Sequence, residues 1–234
     1  MSKASLIDRL DWADVGTQLD QEGYAMLPGL LDAAEARAFA SWAGAAKAGH
    51  HETLASSDLG SGELFYLSQP LPESLAAWRE ALYRHLAPVA NRWNETLGIG
   101  YRYPDALDAF LALNHQMGQR RQRSNLSRLR EHDYQALHQQ TEGEHIFPLQ
   151  LVVLLSTPGE DFSGGEFVMT EQRPRMQSRP MVLPLKLGDA AIITTAQRPC
   201  KGSKGYYRVS LKHAISRVRS GERLGLELWF HDAP

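Results

Sequence analysis

Two histidines and one arginine in the second half of the chain carry its clearest chemical signal. His138 opens the run His138-Gln139-Gln140, and Arg223 follows His213 by ten positions. Neutral imidazole nitrogens are good ligands for first-row transition metals. Two of them with one oxygen donor leave coordination positions open for other groups. Residues i and i+2 of a strand point to one face, so His138 and Gln140 are expected to project together, with His213 reaching in from a later strand. If His138 points inward, Gln140 does too, and the two together with His213 are candidates to surround a metal. Strand parity also singles out Arg223. Arg223, Gly225, Glu227 and Trp229 share one face, and Leu224, Leu226, Leu228 and Phe230 share the other. The leucine face suits packing against helices, which turns Arg223 toward a pocket.

These residues need a framework. The first half of the chain reads as mostly helical. Trp12 to Glu22 has helical spacing and stops at Gly23, and Tyr24 to Leu27 is a short strand. Asp32 and Glu35 form a capping box for an alanine-rich helix to about Lys47. His50 to Ser61 is polar and reads as a loop. Leu75, Trp78, Leu82, Val89, Trp93 and Leu97 lie on one stripe of a long helix, which Pro88 is expected to kink or divide. Asp105 to Met117 is a further helix.

After about residue 120 the period changes. Phe147 to Leu155 is a continuous apolar run of strand length. Further strands are expected after the turns at Gly164-Gly165 and Gly188-Asp189, then over Tyr206 to His213 and Leu224 to Phe230. Arg120, Arg121, Arg123, Arg128 and Arg130 read as a solvated loop or strand edge, with a cradle for an anionic substrate as the sharper alternative. No clear linker appears, so one domain over 1–234 is expected, helical to about 120 and a β core from about 121.

Three stretches give a resemblance: Gly143-Glu144-His145-Ile146-Phe147-Pro148-Leu149-Gln150, Gly164 to Pro174, and Arg217-Val218-Arg219-Ser220-Gly221. With His138, His213, Arg223 and Trp229-Phe230, they resemble the iron(II)/2-oxoglutarate-dependent oxygenases, in particular a bacterial group of the prolyl-4-hydroxylase-like branch. The resemblance covers Tyr134 to Asp232. It implies an α+β protein with a mainly β core, a double-stranded β-helix (a cupin-like jelly roll) with N-terminal helices packed on it. It further implies iron held by His138 and His213, and a 2-oxoglutarate carboxylate paired with Arg223, with Gln150 near the co-substrate. A guanidinium stays charged when buried and matches a carboxylate with two parallel hydrogen bonds. The implied reaction is oxidation of a substrate C–H bond by dioxygen.

Two positions depart from that pattern. Gln140 stands where the family has an aspartate, and Leu129 where many relatives have a tyrosine. Hard divalent ions prefer a carboxylate to a neutral amide oxygen. Gln140 either ligates as a neutral donor, leaves an open position, or is replaced by another carboxylate. Glu142 has the strand's parity, although Gly143 suggests that the strand ends. The alternatives are a decayed jelly-roll binding module, or an iron oxidase that does not use 2-oxoglutarate.

Composition narrows the rest. A chain of 234 residues can bury a substantial core. The formal net charge of −2 argues against a general nucleic-acid binder, so the expected substrate is a small molecule, anionic if the arginine segment is a cradle. Cys200 is the only cysteine, which excludes an internal disulfide and suits a reducing compartment. No apolar run is long enough to cross a bilayer, and a cytoplasmic location is expected.

Overall fold

The computed structural model describes residues 3–44 and 48–234, with the side chains of 5–41 and 50–234. The helices are α1 (Lys3–Ile7), α2 (Trp12–Glu22), α3 (Ala33–Gly44), α4 (Glu73–Thr96) and α5 (Leu107–Gln116). The strands are β1 (Tyr24–Leu27), β2 (Ala48–Thr53), β3 (Gly60–Ser61), β4 (Glu63–Leu67), β5 (Arg121–Gln122), β6 (Asn125–Arg130), β7 (Tyr134–His138) and β8 (Leu149–Leu154). They continue with β9 (Phe162–Gly164), β10 (Phe167–Gln172), β11 (Arg179–Leu183), β12 (Ala190–Thr194), β13 (Gln197–Gly202), β14 (Gly205–Ile215), β15 (Val218–Leu228) and β16 (Asp232–Ala233).

Two antiparallel sheets face each other. The larger runs β1-β12-β8-β15-β6-β4-β2, with β9 on β15, and the smaller runs β11-β10-β14-β7-β3, with β13 on β14. This is the double-stranded β-helix that the sequence predicts, with helices packed on the larger sheet. That sheet is covered on both sides, so β8 is buried at every position and reads as an apolar run broken only by Gln150. Leu149, Leu151 and Val153 face the helices with Leu226, Leu228 and the α4 stripe of Leu75, Trp78, Leu82, Val89 and Trp93. Val152 and Leu154 face the smaller sheet with Phe167, Met169, Leu211 and Ile215.

Local chemistry explains the boundaries. Asp32 accepts from the Glu35 backbone N–H while Glu35 accepts from that of Asp32, closing the capping box of α3. The expected end of that helix near Lys47 falls in residues 45–47, outside the described residues. Gly23 ends α2 in the left-handed region, with its N–H donating to the Leu19 carbonyl.

Three expectations change. Pro88 does not divide α4, which runs unbroken through it. The polar segment His50 to Ser61 is not a plain loop. It contains most of β2 and then β3, because β2 pairs with β4 and β3 with β7. The later part of the arginine segment, Arg128 and Arg130 on β6, is not an edge. β6 lies between β15 and β4, Arg128 and Arg130 pair with Glu63, and Arg130 also pairs with Glu222. Those charges are met by carboxylates within the sheet, which weakens the anion-cradle reading.

Candidate active site

The two histidines meet across the smaller sheet. His213 on β14 is the direct partner of His138 on β7, with ring centroids 4.2 Å apart. Gln135 is the inward partner of Ile215, and the ladder shifts register between these two pairs. Three positions of β7 thus span two of β14. Simple alternation would put Gln135 and His138 on opposite faces. The extra residue of this bulge turns both inward.

The environment suits a metal. His213 is fully buried, and neither of its ring nitrogens has a hydrogen-bond partner among the described residues. Burial, and then the neighbouring His138, hold its pKa well below the usual imidazole value, so the ring is neutral. Phe167 stacks against it at 5.9 Å. The Nδ1 of His138 lies 2.9 Å from the Ala136 carbonyl oxygen. A carbonyl only accepts, so Nδ1 carries the proton and Nε2 keeps its lone pair, as a metal ligand requires.

Gln140 is placed differently from the strand-parity expectation. β7 ends at His138, so Gln140 lies beyond the strand and parity no longer fixes its direction. Its backbone N–H donates to the Thr195 carbonyl. It lines a cleft of about 290 Å³ with Trp93, Asn94, Ile99 and Thr195, which neither histidine lines. Glu142 is exposed in the segment after the strand. Among the described residues, no three His, Cys, Asp or Glu side chains are grouped to hold a metal. The imidazole pair fits a metal ion, and the carboxylate of the usual donor set is missing from it.

Arg223 is buried on the inner face of β15, as its alternation with the leucines predicts. Its Nε donates to the Gly165 carbonyl at 2.9 Å. A Cβ on Gly225 would sit 3.0 Å from both Arg223 Nη1 and Ser127 Oγ, so the bare glycine leaves room for the guanidinium. Burial lowers the arginine's pKa to about 10, partly offset by Glu227, and it remains charged at neutral pH. It lines a cavity of about 310 Å³ with Phe162, Gly164, Gly165, Phe167 and Leu183. Leu129 is its direct partner on β6 and is fully buried, an apolar neighbour where a tyrosine was the family expectation.

Gln150 is buried between the sheets with both amide atoms unpartnered. Sequence reasoning missed Asn125, Ser127 and Gln135, all buried polar residues on the β strands of the core. Asn125 and Gln135 each leave a side-chain oxygen unpartnered. The signal was available, because a polar residue inside an otherwise apolar strand marks a face that must satisfy it.

The chain shares its fold with solved oxygenases. A prolyl-4-hydroxylase from Pseudomonas putida superposes with a TM-score of 0.57 at 13% identity, covering 95% of this chain and 100% of that one. A 2OG-Fe(II) oxygenase family oxidoreductase from Burkholderia pseudomallei gives 0.56 at 18%, covering 96% and 93%. Residues 62–233 match the Oxygenase-NA family, described as an oxygenase catalysing oxidative methylation of damaged DNA, and the chain belongs to that family. An uncharacterized protein of Mycobacterium tuberculosis, found in two strains, is 42% identical over 164 residues, 70% of each chain. Among the described residues, no helix is long and apolar enough to cross a membrane.

Proposed function

We propose that this protein is an iron(II)/2-oxoglutarate-dependent oxygenase that oxidises a C–H bond, working as one domain. His138 and His213 hold the iron. Arg223 takes the distal carboxylate of 2-oxoglutarate, and the unpartnered amide of Gln150 contacts the co-substrate. Gln140 is a neutral third donor or borders an open position. When bound, the iron and keto acid activate dioxygen for that oxidation. The chain orients them: the Ala136 carbonyl fixes the His138 tautomer, Phe167 holds the His213 ring, and burial of Arg223 excludes water from its ion pair.

The single observation that carries this reading is the in-register pair His138 and His213, with the nitrogens of His213 buried and unpartnered. Burying such groups without a partner is unfavourable, and a metal ion would satisfy one of the two nitrogens.

For the substrate, the family description favours damaged DNA over the small molecule expected from net charge. The low net charge therefore gives no ground for excluding nucleic acid. A decayed binding module is the second reading, favoured by the absence of a carboxylate beside the histidine pair among the described residues. Anaerobic titration with iron(II) and then 2-oxoglutarate separates the two. A charge-transfer band, followed by succinate on adding oxygen, is expected. Iron that fails to bind, or binds without the band, removes the oxygenase reading.

A further inference from the structure

The net charge of −2 conceals a segregation. Residues 172–221 contain eleven lysines and arginines against one acidic residue, Asp189, while the rest of the chain is acidic. Asp189 is buried and accepts from the backbone N–H groups of Gly29 and Lys186. Of the two carboxylates that flank this segment, Glu171 is also buried, within an ion-paired cluster of Arg173, Arg179 and Arg198, and Glu222 pairs with Arg130. Arg175, Lys201, Lys204, Arg208 and Lys212 are exposed and form no ion pair among the described residues.

Topology gathers most of these at one end of the smaller sheet. β14 runs from Gly205 to His213 before reaching the metal pair, roughly 25 Å of strand. The hairpin of β13 and β14 therefore extends beyond the histidines, with Lys201 paired to Tyr206 and Pro199 to Arg208. The turn between β10 and β11, carrying Arg175 and Met176, lies at the same end, since Gln172 pairs with Ser210. β7 finishes there too, with the Gln139 amide donating to the Leu211 carbonyl. On β14 the exposed Tyr206, Arg208 and Lys212 alternate with the buried Val209, Leu211 and His213. Of the exposed large hydrophobics among the described residues, all but Met117 lie on this sheet or its turns, including Tyr206 and Met176.

We infer that this rim docks a single-stranded nucleic acid. Arg175, Lys201, Lys204 and Arg208 meet successive phosphates, and Tyr206 offers a ring on which a base stacks. Unpaired cations beside an exposed aromatic, with no acidic residue in the β13–β14 hairpin or the β10–β11 turn and the exposed Glu142 and Glu144 confined to the segment after β7, are complementary to a polyanion that carries flat apolar groups. The rim lies at the end of the sheet where β7 finishes, so a strand docked along β14 would lead toward the histidine pair. The inference deepens the damaged-DNA reading and rests on it for the link to catalysis, although docking itself requires neither iron nor 2-oxoglutarate.

The test is fluorescence anisotropy with a labelled mixed-sequence DNA strand of about 15 nucleotides, long enough for one site of ordinary size. It is run on the whole protein and on the triple variant Lys201→Glu, Lys204→Glu, Arg208→Glu. Each phosphate contact on a single strand contributes about 0.7 to the salt slope, so the variant's slope should fall by about 2, with at least tenfold weaker binding at low salt. Tyr206→Ala should weaken binding while leaving the slope unchanged. A control reversal on the helical side, Arg84→Glu with Arg92→Glu, should bind as the wild type does. Circular dichroism melting verifies that each variant is folded.

No DNA binding by the wild type, or an unchanged affinity in a folded triple variant, overturns the inference. Variant-sensitive binding to phosphatidylglycerol-rich vesicles without DNA binding also overturns it. The keto-acid charge-transfer band is measured on the same samples. If it is missing while DNA binding behaves as expected, the docking surface stands and the oxygenase reading fails.

Discussion

His138 and His213 are direct cross-strand partners, with ring centroids 4.2 Å apart, because β7 contains one residue more than β14 between its pairings with Ile215 and His213. The bulge sets the geometry of the whole candidate centre. It turns His138 inward after an inward Gln135, and the strand then ends, which frees Gln140 from the parity of the two residues before it. The following expectations are built on that arrangement.

His138→Ala and His213→Ala should each abolish tight iron binding. Among the described residues no third His, Cys, Asp or Glu side chain joins the two imidazoles, and losing one leaves too few donors. Elemental analysis measures iron, and circular dichroism verifies the fold. A folded variant with full iron occupancy would remove that histidine from the ligand set.

Arg223→Met should weaken 2-oxoglutarate strongly while leaving iron affinity nearly unchanged. Methionine keeps an unbranched apolar side chain in the core. Removing one partner of a buried charge pair costs about 3–5 kcal/mol, roughly a hundredfold or more in affinity. The measurement is the keto-acid dissociation constant from the charge-transfer band. An unchanged constant would place the co-substrate elsewhere.

Gln140→Asp should raise iron affinity, because a charged hard oxygen can enter the coordination sphere. Gln140→Ala should lower it modestly if the amide ligates. Iron affinity and succinate formation are compared across the wild type and both variants. If aspartate binds iron no better than glutamine, position 140 faces the cleft beside Trp93 and Asn94 and not the metal.

Gly221→Ala should destabilise the fold by about 1–3 kcal/mol. Gly221 has φ of 79°, and an added Cβ would collide with the Asp161 carbonyl. Gly98, with φ of 69° and open space around it, is the control and should lose less when changed to alanine. Urea denaturation measures both. Equal losses would show that the close approach to Asp161 does not matter.

Acid should destabilise the protein partly through His231. Burial, reinforced by Arg79 and opposed by Asp232, lowers its pKa to about 3 from an ordinary value of 6.5. The unfolded chain therefore takes up a proton that the folded one refuses. This contribution to stability is full above pH 6.5 and is lost as pH falls from 6.5 toward 3. Denaturation midpoints of the wild type and His231→Phe across that window measure it. If the two pH dependences run parallel, the assignment is wrong.

Much of this architecture was legible in the chain. The alternation of Arg223, Gly225 and Glu227 with Leu224, Leu226 and Leu228 predicted which face of β15 meets the helices. The α4 stripe, the α3 capping box and the run 147–155 were equally clear, since each is a local period or a local hydrogen-bond pattern. β2 and β13 were not, because they are polar in sequence and become strands by pairing with β4 and β14.

The sequence by itself carried the family resemblance, through the stretches that match it, and the inward face of Arg223, through the alternation along β15. The alternation rests on local backbone geometry, which places residues i and i+2 of a strand on one face. Only the tertiary structure decided the rest. It put His138 opposite His213 through a bulge, released Gln140 from the strand and paired Arg128 and Arg130 with Glu63 and Glu222. It also drew Arg175, Lys201, Lys204 and Arg208 to one end of the smaller sheet. Strand pairing joins residues far apart in the chain, so neither a local period nor a summed net charge can reveal which residues share a face.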